Sequence, residues 1–323
     1  MPISPLFPRL AVSGLALLAI AGALAAHACS TCGCSVCSRW GADDSAPVAG
    51  WEATFRYDYL NQSDLYSGTG KVDRAALTFP NDQEIQQRTL TRTVWLDLTY
   101  AVSPGWTVQA QLPYADRFHT TVAGGDTDIS TSQASGLGDV RLLARRQSDD
   151  AAPGLSFEFG FKLPTGRFDQ NFANGPQAGS LLDRGLQLGT GTFDLLAGAT
   201  WSTRLTDSLG FFSQINLAQP LAARAGFLPS SNLHLSTGVR WLAAERITPE
   251  LQLNLGWEGR EHGVQADTPN SGGLLAYLSP GLTARLTSST RAFAFVQLPV
   301  YRRVNGLQLE PRWILSLGTR FQF

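Results

Sequence analysis

The 323-residue chain has only four cysteines, and all of them fall between positions 29 and 37. The rest of the chain has none, so its fold does not depend on disulfides. Charge is also scarce: Asp, Glu, Lys and Arg make up 16% of the chain, against roughly 25% in ordinary soluble domains. The formal net charge is −1, which gives no electrostatic case for a nucleic-acid partner. Beyond the N-terminus no stretch approaches the roughly 18 unbroken apolar residues of a membrane helix, which argues against an α-helical membrane protein. There is no phosphate loop, helical metal motif or nucleotide fingerprint.

The N-terminus reads as an address. Arg9 supplies a positive n-region, residues 11–25 an apolar core, and Ala23-Leu24-Ala25 and Ala26-His27-Ala28 small-x-small cleavage sites. Residues 1–28 are therefore expected to be a secretory signal peptide; the apolar run is short for a membrane anchor. Cleavage after Ala28 makes Cys29 the first residue, and export places the chain in an oxidising compartment. Residues 29–49 follow as a Cys-rich periplasmic segment, and residues 50–323 as one large all-β domain.

From Trp51 onward the apolar period is two. Trp51, Ala53, Phe55, Tyr57 and Tyr59 alternate with Glu52, Thr54, Arg56 and Asp58. Leu155, Phe157, Phe159, Phe161 and Leu163 alternate with Ser156, Glu158, Gly160 and Lys162, and the pattern recurs down the chain. One face of each segment is apolar and the other polar, as in strands. Candidate strands lie near 50–60, 89–102, 105–116, 137–147, 154–164, 190–203, 208–218, 232–243, 249–259, 273–286, 291–302 and 310–323. Many reach the roughly 9–11 residues that a tilted strand needs to cross a bilayer.

A soluble sandwich also alternates, but three features favour a membrane. Tight connections at Ser103-Pro104-Gly105, 149–153 and 287–289 alternate with long polar ones near 61–88, 117–136 and 165–189. Short periplasmic turns and long outer loops are the bacterial barrel pattern. Aromatics gather at strand ends: Trp51, Tyr100, Trp106, Trp201 and Trp241 toward the short turns, and Tyr59, Tyr114, Trp257, Tyr301 and Trp313 toward the long loops. Such rings prefer the headgroup level. The last strand also stops on Phe323, like the terminal signal read by the barrel-assembly machinery. In lipid every backbone group must be paired, so the sheet must close. The expectation is a transmembrane antiparallel β-barrel of about twelve strands in the bacterial outer membrane, with membrane lipid, a small solute and the assembly machinery as partners.

Three motifs add a resemblance. Ser135-Gly136-Leu137-Gly138-Asp139-Val140, Leu163-Pro164-Thr165-Gly166 and Gly189-Thr190-Gly191-Thr192-Phe193-Asp194 together resemble the outer-membrane transporter family called MetA-pathway of phenol degradation. The resemblance implies a barrel tied to uptake of small, often aromatic or hydrophobic compounds, and brings no catalytic residues. The same residues also have an architectural reading: Gly136 and Gly138 permit bends or close strand approach, and Pro164 suits a strand end.

The densest local constellation is Cys29, Cys32, Cys34 and Cys37, with His27 beside it. Four thiols in nine residues can converge on a soft metal, copper or zinc, or pair as disulfides; both roles stay open. Haem attachment is disfavoured, since no His directly follows Cys32 or Cys37. His234 and Ser236 share a strand face, as in hydrolase pairs, but in the polar phase expected of a lumen lining. That lining is expected to hold Arg56, Arg141, Arg145, Lys162, Arg240 and Arg320 with Glu52, Asp58, Asp97, Asp139, Glu158, Asp194, Glu250 and Glu258. Mixed charge argues against a strongly ion-selective pore. Function is therefore read as a channel or transporter rather than an enzyme, the alternative being a metal-linked envelope protein whose barrel anchors or exports the metal.

Overall fold

The computed structural model describes residues 50–148, 154–243 and 246–323. Cys29, Cys32, Cys34 and Cys37, and the expected signal peptide, lie outside the described residues. Thirteen strands follow one another: β1 (Gly50–Gly68), β2 (Gly70–Lys71), β3 (Ile85–Ser103), β4 (Trp106–Val122), β5 (Ile129–Leu137), β6 (Arg141–Gln147), β7 (Leu155–Lys162), β8 (Asp194–Thr206), β9 (Leu209–Pro220), β10 (Asn232–Trp241), β11 (Ile247–Glu258), β12 (Gly273–Arg285) and β13 (Thr290–Gln322).

All pairings are antiparallel, and eleven of these elements lie on one closed path, with β2 and β5 off it. β13 contributes twice to the wall. Its first part pairs with β12, from Arg291 opposite Arg285 to Val304 opposite Gly273. Its second part pairs with β1, from Leu307 opposite Ser67 to Gln322 opposite Glu52. Between them Asn305-Gly306 makes a turn in which Gly306 takes φ +58, a conformation glycine adopts without steric cost. The two parts meet again at the base, where the Gln322 N–H donates to the Ser289 carbonyl at 2.9 Å. The wall therefore has twelve staves, in agreement with the expected strand count. Trp51 and Phe323 exchange both backbone hydrogen bonds, at 2.8 and 2.9 Å, so the chain's final residue seals the seam.

The expected phase holds along most of the wall, interrupted at register shifts such as Leu60/Gln62 and Ala276/Tyr277. Phe157, Phe159 and Phe161 point outward and are about half exposed, whereas Ser156 and Lys162 are buried inside. Val108, Leu142, Leu195, Ile215, Leu251 and Leu253 continue the apolar outer belt. In water such a belt would be an aggregation surface, and in lipid it is the solvated face. Trp51 and Tyr100 touch at 4.8 Å near one rim, and Tyr59 stacks on Trp313 at 5.3 Å toward the other, which makes the two girdles physical.

One expected loop is not a loop. Residues 117–136 belong mostly to a tall hairpin: β4 continues to Val122 and pairs with β5 from Val122–Ile129 down to Tyr114–Leu137. β6 then pairs with the lower part of β4, from Gln111–Arg141 to Trp106–Arg146. β5 and β6 are thus one stave interrupted at Gly138-Asp139-Val140. Similarly β1 and β3 rise through much of 61–88, leaving 69–84 as the connection. In this part of the hairpin small hydroxyl residues occupy both phases, so Thr120, Thr121, Ser130, Thr131 and Ser132 carry no apolar alternation from which a strand can be read.

Candidate functional site

The lumen is where polar side chains converge. In its lower part the charges are mutually neutralised. Arg320 Nε lies 3.3 Å from Glu52, Arg56 Nε 3.1 Å from Asp58, and Arg240 Nε 3.2 Å from Glu250. The Ser316 hydroxyl adds a 2.7 Å bond to Asp58. Phe212, Phe293 and Phe295, all buried, fill space between these pairs, and Arg240 lies 4.4 Å from the Phe212 ring centroid. A charge buried without a partner is expensive, and side chains on the same stave (Arg56 and Asp58) or on neighbouring ones supply the partners.

The three motifs quoted from the sequence meet in one knot on the wall. Asp139, at the break between β5 and β6, accepts the backbone N–H groups of Gly166 and Thr190, each at 2.9 Å, and the Thr190 hydroxyl at 3.0 Å. Lys162 Nζ lies 2.7 Å from Asp194 and 3.5 Å from Asp139. The Thr165 hydroxyl donates to the Gly138 carbonyl and accepts from the Val140 N–H, both at 2.9 Å. The backbones of Gly166 and Gly189 cross so closely that a Cβ on Gly166 would sit 2.7 Å from the Gly189 Cα. A larger residue at either position would push the crossing apart. The motifs are thus structural, and they staple both ends of the segment 163–193.

That segment has no place in the barrel wall. It packs Phe172, Leu182 and Leu186 into a small apolar cluster, and its middle reaches the lumen. Arg117, on the inner face of β4, donates to the carbonyls of Gly185 and Gln187 at 3.2 and 3.1 Å. Arg184 lies over the rings of Phe168 and Phe227, at 4.5 and 4.9 Å, and donates to the Thr190 carbonyl at 2.7 Å. Burial holds the Arg184 guanidinium below its usual range, opposed by Glu261. Next to it the Asp183 carboxyl is pushed well above the ordinary carboxylate range by burial, and Glu84, Asp267 and Glu261 add like charge.

Beneath the segment lies a cavity of about 300 Å³, bounded by Leu60, Trp95, Pro113, Leu143, Arg184 and Leu188 among others. Trp95 stands in the inward phase of β3 with Thr93 and Asp97, unlike the rim aromatics. The guanidiniums of Arg56 and Arg141 lie 5.0 and 5.2 Å from its ring centroid. Of the residues expected in the lumen, Arg56, Arg141, Lys162, Asp58, Asp139, Glu158, Asp194 and Glu258 line this cavity, while Arg240, Arg320, Glu52 and Glu250 form the pairs given above. Arg145 bonds the inward-facing Ser156 at 2.8 Å, and Asp97 is buried. His234 lines the cavity and Ser236 is buried. The His234 Nδ1 has no hydrogen-bond partner, so the two do not form an activated nucleophile. Trp95 and Arg184 were not singled out in the sequence. The strand phase could have revealed Trp95, whereas nothing local marks Arg184.

The architecture matches an outer membrane channel from Pseudomonas putida F1 at TM-score 0.64 and 13% identity, over 88% of this chain and 99% of that one. A Pseudomonas aeruginosa FadL homologue aligns at TM-score 0.44 and 10% identity over 85% of this chain and 90% of its own. The P. putida toluene transporter TodX aligns at 0.45 and 8%, over 86% and 91%. The first likeness shows a shared fold, and the weaker two carry no further argument. No family model and no curated protein matches the sequence. Twelve closed staves with an apolar exterior and a charged, hydrogen-bonded interior make this chain an outer-membrane β-barrel.

Proposed function

We propose that this barrel is a passive channel for a small solute, and that the stapled segment 163–193 narrows it to the cavity at Trp95. The observation that carries this reading is the position of residues 184–190. They are held against the inner wall by Arg117 and Asp139 and form one side of the 300 Å³ cavity. A barrel meant only as an anchor has no need of a defined internal cavity lined by both polar and apolar groups, which is the usual composition of small-molecule sites.

The solute class favoured is small and ring-bearing. Trp95, Leu60, Pro113 and Leu143 give the cavity apolar surface, and the three motifs resemble a transporter family linked to phenol degradation. The likeness to a channel of the same fold supports this reading. Proteoliposomes test it: those holding the purified full chain should release entrapped small sugars or ions faster than empty vesicles. Release no faster than from empty vesicles would overturn the channel reading.

A further inference from the structure

We propose that the cavity selects solutes combining a flat apolar ring with a single carboxylate, and that Arg141 binds that carboxylate. The inference deepens the channel reading and rests on it.

It starts from a charge inventory of the cavity. Arg56 is neutralised by Asp58 at 3.1 Å, and Lys162 by Asp194 at 2.7 Å. Arg117 is committed to two backbone carbonyls of the stapled segment. Arg184 is stacked on two phenylalanines and donates to Thr190. Asp139 is saturated by two backbone N–H groups, a hydroxyl and Lys162. Glu158, Glu258 and Glu261 have partners of their own.

Arg141 is the exception. It lines the cavity, and it lies over the face of Trp95 at 5.2 Å. No described carboxylate lies within ion-pair distance of it. Its neighbours across the sheet are Gln111 on β4 and Lys162 on β7, a neutral group and a second cation. Arg56 shares the same indole ring, so a further cation faces it there. Asp97, beyond Gln111 at the same level of the wall, attracts it at longer range but lies outside ion-pair distance. A guanidinium held only by ring contact and by longer-range attraction keeps its N–H fork available to an incoming anion.

A second polar group faces the same cavity. His234 on β10 has a buried Nδ1 with no partner. A guanidinium with no direct ion pair and an unpartnered imidazole nitrogen therefore look into a space also lined by Trp95, Leu60, Pro113 and Leu143. A guanidinium fork matches a carboxylate in bidentate geometry. One unpaired fork suits a monoanion better than a doubly charged phosphate. At about 300 Å³ the cavity sits at the lower end of small-ligand sites, roughly 300–1,000 Å³, which suits a single ring.

The test uses the purified full chain, with benzoate as the probe and benzamide as its neutral isostere, titrated by calorimetry in detergent. The wild type should bind benzoate saturably and at least tenfold tighter than benzamide. Arg141→Gln should remove that preference, weakening benzoate at least tenfold and leaving benzamide unchanged. Arg141→Lys should recover part of it. A structural role for Arg141 predicts a markedly less stable barrel on Arg141→Gln, whereas removal of a cation that makes no direct ion pair predicts little change in resistance to unfolding on a heat-shift gel. Equal binding of benzoate and benzamide by the wild type, or no change on either substitution, would overturn the proposal while conductance by the wild type keeps the channel reading. Absence of wild-type conductance would remove both.

Discussion

Asp139 accepts the Thr190 backbone N–H at 2.9 Å across 51 residues of sequence. This bond joins the break in one stave to the far end of the segment that enters the lumen. Asp139→Ala removes acceptors for Gly166 and Thr190 and leaves Lys162 with Asp194 and the Thr190 hydroxyl. Leaving buried donors unmet costs roughly 1–3 kcal/mol each. The barrel wall does not run through these bonds, so the expected outcome is a folded barrel with a loosened segment. Limited proteolysis should cut within 163–193 in the variant and spare it in the wild type.

The outward phase of β7 gives a stability test. Phe159 is about half exposed on the lipid face, between Ala144 and Ala197 on the flanking strands. Phe159→Arg should lower stability by about 2–4 kcal/mol near the bilayer midplane. Glu158→Gln, on the lumen face, should cost much less. Folding titrations into lipid vesicles measure both, and equal losses would contradict the assigned phase.

The carboxyl cluster above the cavity predicts a pH dependence. Asp183 is held well above the usual carboxyl range by burial and by Glu84, Asp267 and Glu261. A raised acid favours the folded arrangement while protonated. That contribution is fully present below the ordinary carboxyl value and is lost as pH rises through the raised one. Amide exchange in 180–190, corrected for its intrinsic pH dependence, should therefore accelerate from acidic toward alkaline pH. Asp183→Asn should flatten that trend. A segment equally protected across the range in the wild type would contradict it.

The cysteines give a separation of parts. The wall from Gly50 to Phe323 contains none, so Cys32→Ser with Cys34→Ser should leave barrel assembly unchanged on a heat-shift gel. Thiol labelling of the wild type then distinguishes the two roles expected from the sequence. Free thiols with one equivalent of copper or zinc mean a soft-metal site at Cys29, Cys32, Cys34 and Cys37. No free thiol and no metal means disulfides.

Much of the barrel was legible because lipid and lumen impose opposite chemistry on alternate residues. Phe157 and Glu158 cannot exchange faces, so period two fixed the strand, its phase and the mixed lumen lining. The tall hairpin of β4 and β5 was not legible, since Thr120, Thr121, Ser130 and Thr131 place hydroxyl residues in both phases and leave no apolar alternation. The motifs Gly138-Asp139, Thr165-Gly166 and Gly189-Thr190 were visible as words but not as one knot. Their meeting depends on hydrogen bonds between residues 27 and 51 positions apart. Arg184 was hidden for the same reason, because its partners Phe168 and Phe227 belong to two different outer connections.

Single-channel recording in planar bilayers tests the central claim most directly. The claim predicts discrete wild-type openings, and a several-fold larger unit conductance when residues 168–187 are replaced by a short Gly-Ser linker that spares Asp139, Gly166 and Thr190. An unchanged conductance in the shortened variant would contradict the placement of this segment in the solute path.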